Sequence, residues 1–170
     1  MNKKNTLLLF LCLFCLWAVA QEKKPVKIAC VGNSITYGSG IKNQFQNSYP
    51  GLLSQLLGEG YDVRNFGISA RVMLNKGDHP YMHEQKFRDL LAFQPDIVTI
   101  KLGTNDSKPW NWHYGKDFGK DLTEMLDILQ DLPSKPKIYL CFPVPAVKRN
   151  FGINDSVITV SYTHLRAHET

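Results

Sequence analysis

The sequence predicts an α/β fold built on a parallel sheet, and three observations carry that expectation. Apolar, β-branched runs recur at 26–31, 61–66, 96–102 and 137–142, and segments of helical spacing separate them. The first three runs each stop at a glycine: Gly32, Gly67 and Gly103. Strands that alternate with helices in this way predict right-handed crossovers, with helices on both faces of the sheet.

The first run, Val26-Lys27-Ile28-Ala29-Cys30-Val31, is nearly uninterrupted in its apolar character. That is the pattern of a strand buried on both faces. Gly32 lets the chain turn, and Ser34 then falls at the carboxyl edge of the sheet, where open α/β folds bind ligands. From these residues alone Ser34 can equally be a helix cap. A Gly- and Asn-rich loop is expected to about Asn47. Ser48 reads as an N-cap and Pro50 suits the first turn, after which Leu52, Leu53, Leu56 and Leu57 form an apolar face. A weaker strand over 61–66 follows.

A helix is predicted over 84–93 with Phe87, Leu90 and Leu91 inward, ended by Pro95. The clearest strand, 96–102, leads into Gly103-Thr104-Asn105-Asp106 and then an aromatic loop containing Trp110, Trp112 and Tyr114. These rings interleave with polar residues just after Asn105, which favours stacking on a sugar or shielding an acyl group over burial in the core. Helical spacing of Phe118, Leu122, Met125, Leu126 and Leu129 marks a helix over 116–131, before the strand at 137–142. No internal repeat or low-complexity stretch interrupts the pattern.

Residues 1–20 read as a cleavable signal peptide. Lys3 and Lys4 precede an apolar run from Leu7 to Trp17, and Ala18-Val19-Ala20 supplies the small residues that signal peptidase requires. The run is shorter than the roughly 20 apolar residues that span a bilayer. Cleavage after Ala20 is expected, which implies a secreted or periplasmic protein with no stable membrane insertion afterwards. Cys12 and Cys15 leave with the signal; Cys30 and Cys141 remain and read as two buried thiols. Without Lys3 and Lys4 the chain keeps 18 basic against 15 acidic residues, scattered rather than clustered, so nothing points to nucleic acid. A 44% apolar composition and this length suit one domain, placed at 21–158.

In a parallel sheet Ser34, Gly67 and Asn105 reach the same edge, and acyl transfer needs such an assembly. A serine hydroxyl attacks a carbonyl, charge develops on its oxygen, and donors aimed at that oxygen lower the barrier. Ser34 can supply the nucleophile and its own N–H, Gly67 a backbone N–H, and Asn105 a side-chain amide.

The chain resembles the SGNH (GDSL-type) hydrolases over roughly Lys27 to Ser156. Their first block appears as Gly32-Asn33-Ser34-Ile35-Thr36, the second as Asn65-Phe66-Gly67, and the third is intact as Gly103-Thr104-Asn105-Asp106. The resemblance implies a flavodoxin-like three-layer α/β/α sandwich and an esterase or lipase activity without metal or cofactor. It also assigns Ser34, Gly67 and Asn105 as the catalytic set. The substrate class it implies is a small-molecule or glycan ester, in the first place O-acetylated carbohydrate. A lysophospholipase or thioesterase, or a non-catalytic glycan-binding module of the same fold, remains an alternative. Asn33 stands where the family usually has aspartate and can still cap the turn. The family's fourth block, Asp-x-x-His, has no counterpart: Ser161 precedes His164 by three residues and Leu165 precedes His168. Residues 159–170 have neither apolar periodicity nor turn logic and read as a non-native tail, so the natural chain is expected to continue with a fifth strand, a last helix and the missing pair.

Other motifs read blandly. His79 and His83 flank Pro80 without a third ligand, which argues against a metal. Gly32, Gly38 and Gly40 fit no phosphate-binding spacing. Asp106 reads as a structural hydrogen-bonding residue rather than a triad acid.

Overall fold

The computed structural model describes residues 24–144 and 150–158; the signal segment 1–20, the tail 159–170, His164 and His168 lie outside the described residues. Four parallel strands, β1 (Val26–Gly32), β2 (Tyr61–Gly67), β3 (Ile97–Lys101) and β4 (Lys137–Leu140), form one sheet in the order β2-β1-β3-β4. Between them lie α1 (Ser34–Tyr37), α2 (Gln44–Asn47), α3 (Tyr49–Leu57), α4 (Gln85–Phe93), α5 (Pro109–Trp112) and α6 (Phe118–Gln130). This is the expected α/β architecture with a central parallel sheet. Gly32 is in register with both Gly67 and Lys101, so the first three strands finish level with one another.

Alternation along the strands divides the burial. Ala29, Val31, Val98 and Ile100 face α4 and α6, which contribute Phe87, Leu90, Phe93, Phe118, Leu122, Met125 and Leu129 to one continuous core. Each such side chain, withdrawn from water, stabilises the fold by roughly 1.5–3 kcal/mol. The opposite face carries Cys30 and Thr99, and α3 lies over it with the Tyr49 hydroxyl 3.3 Å from Thr99 Oγ1. Burial raises the pKa of both Tyr49 and Cys30, so each stays neutral there. At the amino edge Asp96 ties three strands together. Its carboxylate accepts Lys27 N–H at 2.8 Å, its N–H donates to Lys27 O at 2.9 Å, and its carbonyl accepts Lys137 N–H at 2.9 Å.

Four expectations change. The loop after Ser34 contains two short helices, α1 and α2, each too brief to register as a period. The apolar face expected of α3 is largely in solvent, with Leu52 47% and Leu56 84% exposed; that helix buries Pro50 and half-buries Leu53, and the described residues leave Leu52 and Leu56 open. Cys30 and Cys141 are both free, but Cys141 is only half buried. Trp112 and Tyr114 pack against the core, the indole of Trp112 meeting the Phe118 ring at 6.0 Å, so of the three aromatics only Trp110 is open to solvent. Among the described residues no helix is long and apolar enough to cross a membrane.

Candidate active site

Ser34 stands where the sheet ends. β1 is buried through Gly32, and the chain reverses at once because Gly32 has no side chain: a β-carbon there would lie 2.1 Å from Thr36 Oγ1 and 2.8 Å from the Lys101 carbonyl. Asn33 caps the resulting turn, its Oδ1 accepting the Ile35 N–H at 3.0 Å. Asparagine therefore does here what an aspartate would do in capping, without adding a charge. Ser34 is the first helical residue and half buried, and its hydroxyl makes no hydrogen bond to a described residue.

Gly67 ends β2 opposite Gly32. Its N–H donates to its near neighbour Asn65 Oδ1 at 2.9 Å, so in this structure that donor is already engaged. The lack of a side chain serves close packing, since a β-carbon would meet Tyr37 N at 2.3 Å. The Asn65 amide also donates to Thr36 O at 2.9 Å, which fixes α1 against β2.

Asn105 opens a 3-10 turn, Asn105–Ser107, four residues beyond the end of β3. It is 7% exposed, its Nδ2 donates to Arg71 O at 3.1 Å, and its carbonyl accepts Asn111 Nδ2 at 3.0 Å. An amide nitrogen carries two hydrogens, so one remains for another acceptor.

The loop after β2 joins these pieces. Ile68 N–H donates to Gly32 O at 3.0 Å, and the Ser69 and Ser39 hydroxyls meet at 2.6 Å. Arg71 pairs with Glu84 at 2.8 Å and also donates to Ser69 O at 2.9 Å. Asp106, fully buried, accepts Met73 N–H and Leu74 N–H, each at 2.8 Å on Oδ1. Burial pushes its carboxyl up to about 6 against the pull of those N–H groups. The structural role expected for Asp106 is what the geometry gives it.

Between these anchors Ala70 is held at φ +67°, the left-handed region that favours glycine, and its N–H makes no hydrogen bond to a described residue. The sequence does not reveal this position, because the residue that normally marks a left-handed turn is absent. The arrangement brings Ser34's helix and Asn105's turn to two sides of one short loop, with a free backbone donor between them. Such donors can stabilise charge developing on a carbonyl oxygen.

His79, His83 and His113 are exposed, and among the described residues none of them is hydrogen-bonded to a carboxylate. A cavity of about 1020 Å³ opens between α2, α3 and β2, lined by Tyr37, Phe45, Pro50 and Arg64 among others, and does not include Ser34 or Asn105.

Comparison with known proteins then bears on the chemistry. The model of the GDSL-like lipase/acylhydrolase family matches residues 30–162. The chain is 50% identical over 157 residues to an acetylxylan esterase of Xylanibacter ruminicola; the match covers 82% of this chain and 33% of that protein, so the chain spans about a third of that relative's length. Among solved structures it resembles a carbohydrate acetylesterase from Sinorhizobium meliloti, with TM-score 0.66, 19% identity, and coverage of 84% of this chain and 78% of the other. It also resembles an aryl esterase of M. smegmatis, with TM-score 0.59, 21% identity, and coverage of 84% and 78%. Similarity at that level of identity shows a shared fold.

Proposed function

Because the chain belongs to the GDSL-like lipase/acylhydrolase family, we propose that its carboxyl edge is the acyl-transfer centre of a serine esterase that removes O-acetyl groups from carbohydrate. The observation that carries the reading is the Ser34 hydroxyl, unbonded to any described residue at the start of α1, beside a loop tied at its other end to Asn105. In this reading the Ser34 oxygen attacks the acetyl carbonyl, and the oxyanion is received by Ser34 N–H, Ala70 N–H and the second hydrogen of Asn105 Nδ2. Ala70 replaces Gly67 as the loop donor because the Gly67 N–H is spent on Asn65. The alkoxide of the sugar leaves with a proton, and water then hydrolyses the acetyl-serine. The Ser34 proton must pass to a general base, and the Asp-x-x-His block that supplies one in the family has no counterpart in this sequence.

The 50% identity to an acetylxylan esterase supports acetylated xylan as the substrate class. Export belongs to the same reading, since a polymeric glycan must be met outside the cell, and residues 1–20 carry the signal pattern. A secreted product beginning at Gln21 is the expected result of N-terminal sequencing; a product retaining Met1 would refute export.

The deciding experiment is release of acetate from acetylated xylan, and of p-nitrophenol from p-nitrophenyl acetate, by the full-length protein and its Ser34→Ala variant. Loss of the nucleophile should leave only the small residual acceleration that binding and the oxyanion donors provide, a drop of about 10³-fold or more. Turnover that survives Ser34→Ala would place the nucleophile elsewhere and overturn the reading.

A further inference from the structure

Trp110 is held in a fixed orientation and yet left in solvent. Its Nε1–H donates to Asp78 Oδ2 at 3.0 Å, while Asp78 Oδ1 accepts Asn111 Nδ2 at 3.0 Å and Asp78 N–H donates to Asn111 Oδ1 at 2.8 Å. Asn111 is in turn bonded to the carbonyl of Asn105, so the indole is connected through two side chains to the candidate oxyanion donor. Gly152, in the 3-10 turn Asn150–Gly152, lies against the six-membered ring so closely that a β-carbon there would be 3.2 Å from Cη2. Lys108 Nζ stands 5.6 Å from the ring centroid. Despite these contacts Trp110 is 55% exposed, whereas Trp112, one turn-step away, is packed against the core.

Leaving a tryptophan in water forgoes stabilisation that its burial would bring. Fixing it in place as well removes the rotamer freedom that would otherwise have to be lost on binding, which is what preorganisation means for a recognition surface. The surroundings decide the occupant. An acyl chain needs an enclosed apolar slot, and Trp110 is 55% exposed and edged by the Asp78 carboxylate and the Lys108 ammonium. A pyranose matches that combination, because its axial C–H face is apolar and its equatorial hydroxyls at the ring edge both donate and accept hydrogen bonds.

We propose that Trp110 is the stacking platform of a glycan subsite that holds a xylosyl residue of the polymer next to the one being deacetylated. The assignment rests on the carbohydrate-esterase reading and adds the residue that would confer preference for a polymer over a small acetyl ester. Asp78 positions the ring, and Gly152 keeps its edge close to the neighbouring turn.

The test is a titration of the full-length Ser34→Ala protein with unacetylated xylotetraose, followed by calorimetry and by the ¹⁵N-labelled indole resonances. The Trp110 Nε1–H signal should shift on saturation. Adding Trp110→Ala should weaken binding by about tenfold, with a smaller loss for Trp110→Phe. An unshifted Trp110 indole at saturating xylotetraose, or an unchanged dissociation constant in Trp110→Ala, would overturn the proposal. Should Trp110→Ala fail to fold, the indole shift and Trp110→Phe still decide it. Failure of the esterase reading is a separate outcome, seen as turnover that persists in Ser34→Ala, and the binding measurement does not depend on it.

Discussion

The carboxylate of Asp106 receives the backbone N–H of Leu74 at 2.8 Å, and that bond joins two loops 32 positions apart in the chain. The same oxygen takes Met73 N–H at 2.8 Å, and Oδ2 is 3.1 Å from it. Asp106→Ala would leave two buried N–H groups without an acceptor, at about 1–3 kcal/mol each. Urea denaturation should therefore report a loss of about 2–6 kcal/mol.

The pH dependence of stability follows from the same residue. Asp106 titrates at about 6 in the folded chain against an ordinary value of 3.8, because burial disfavours its charge. Between those two values the folded state holds a proton that the unfolded state has released, so stability falls as pH rises through that window. Asp106→Asn keeps an acceptor oxygen for Met73 and Leu74 but has no proton to lose. A wild-type melting temperature that declines between those pH values, and a flatter profile in the variant, are the expected results of calorimetry across pH.

Ala70→Gly should stabilise the chain. Alanine in a left-handed conformation is penalised by about 1–2 kcal/mol, and the entropy glycine adds to the unfolded chain offsets about 0.5–1 kcal/mol of the relief. A net gain of about 0.5 kcal/mol, read as a small rise in urea midpoint, is expected. The backbone donor at that position is unchanged by the substitution, so hydrolysis should persist.

Gly67→Ala should have the opposite sign and a larger size. The new methyl would stand 2.3 Å from Tyr37 N and 2.7 Å from the Thr36 carbonyl carbon, both backbone atoms that move only if α1 moves. Overpacking of this kind costs about 1–3 kcal/mol or more. Circular dichroism melts should show it, and activity should fall with the displacement of Ser34.

Asn105→Ala removes the proposed oxyanion donor and the bond to Arg71 O together. Loss of one oxyanion donor lowers kcat by about 10²–10³-fold. Steady-state kinetics should show the change chiefly in kcat, with KM little altered.

The strands were legible because a parallel strand buried on both faces leaves a continuous apolar run, as residues 26–31 do. The glycines that stop them were equally plain. The exposed Leu52 and Leu56 were not foreseen, because an amphipathic pattern says that a face is apolar and nothing about whether another element covers it. Trp112 misled for a related reason: polar neighbours suggest a wet loop, but one turn of α5 is enough to direct its ring onto Phe118. At the candidate site, the positions of Ser34 and Asn105 past their strands can be read from where those strands end. The engagement of the Gly67 N–H by Asn65 cannot, since it depends on a side-chain rotamer, and Ala70 gives no composition signal for its positive φ.

The bonds from Met73 and Leu74 to Asp106 also bear on how the region exchanges with solvent. Both amides are buried, and their acceptor lies 33 and 32 positions further along the chain, in the 3-10 turn that follows β3. Fraying of the loop must break the bonds to Asp106 before it can expose them. Their protons should exchange with deuterium only at the slow rate of whole-domain opening. The proposed catalytic rim would then be lost together with the sheet when the sheet opens.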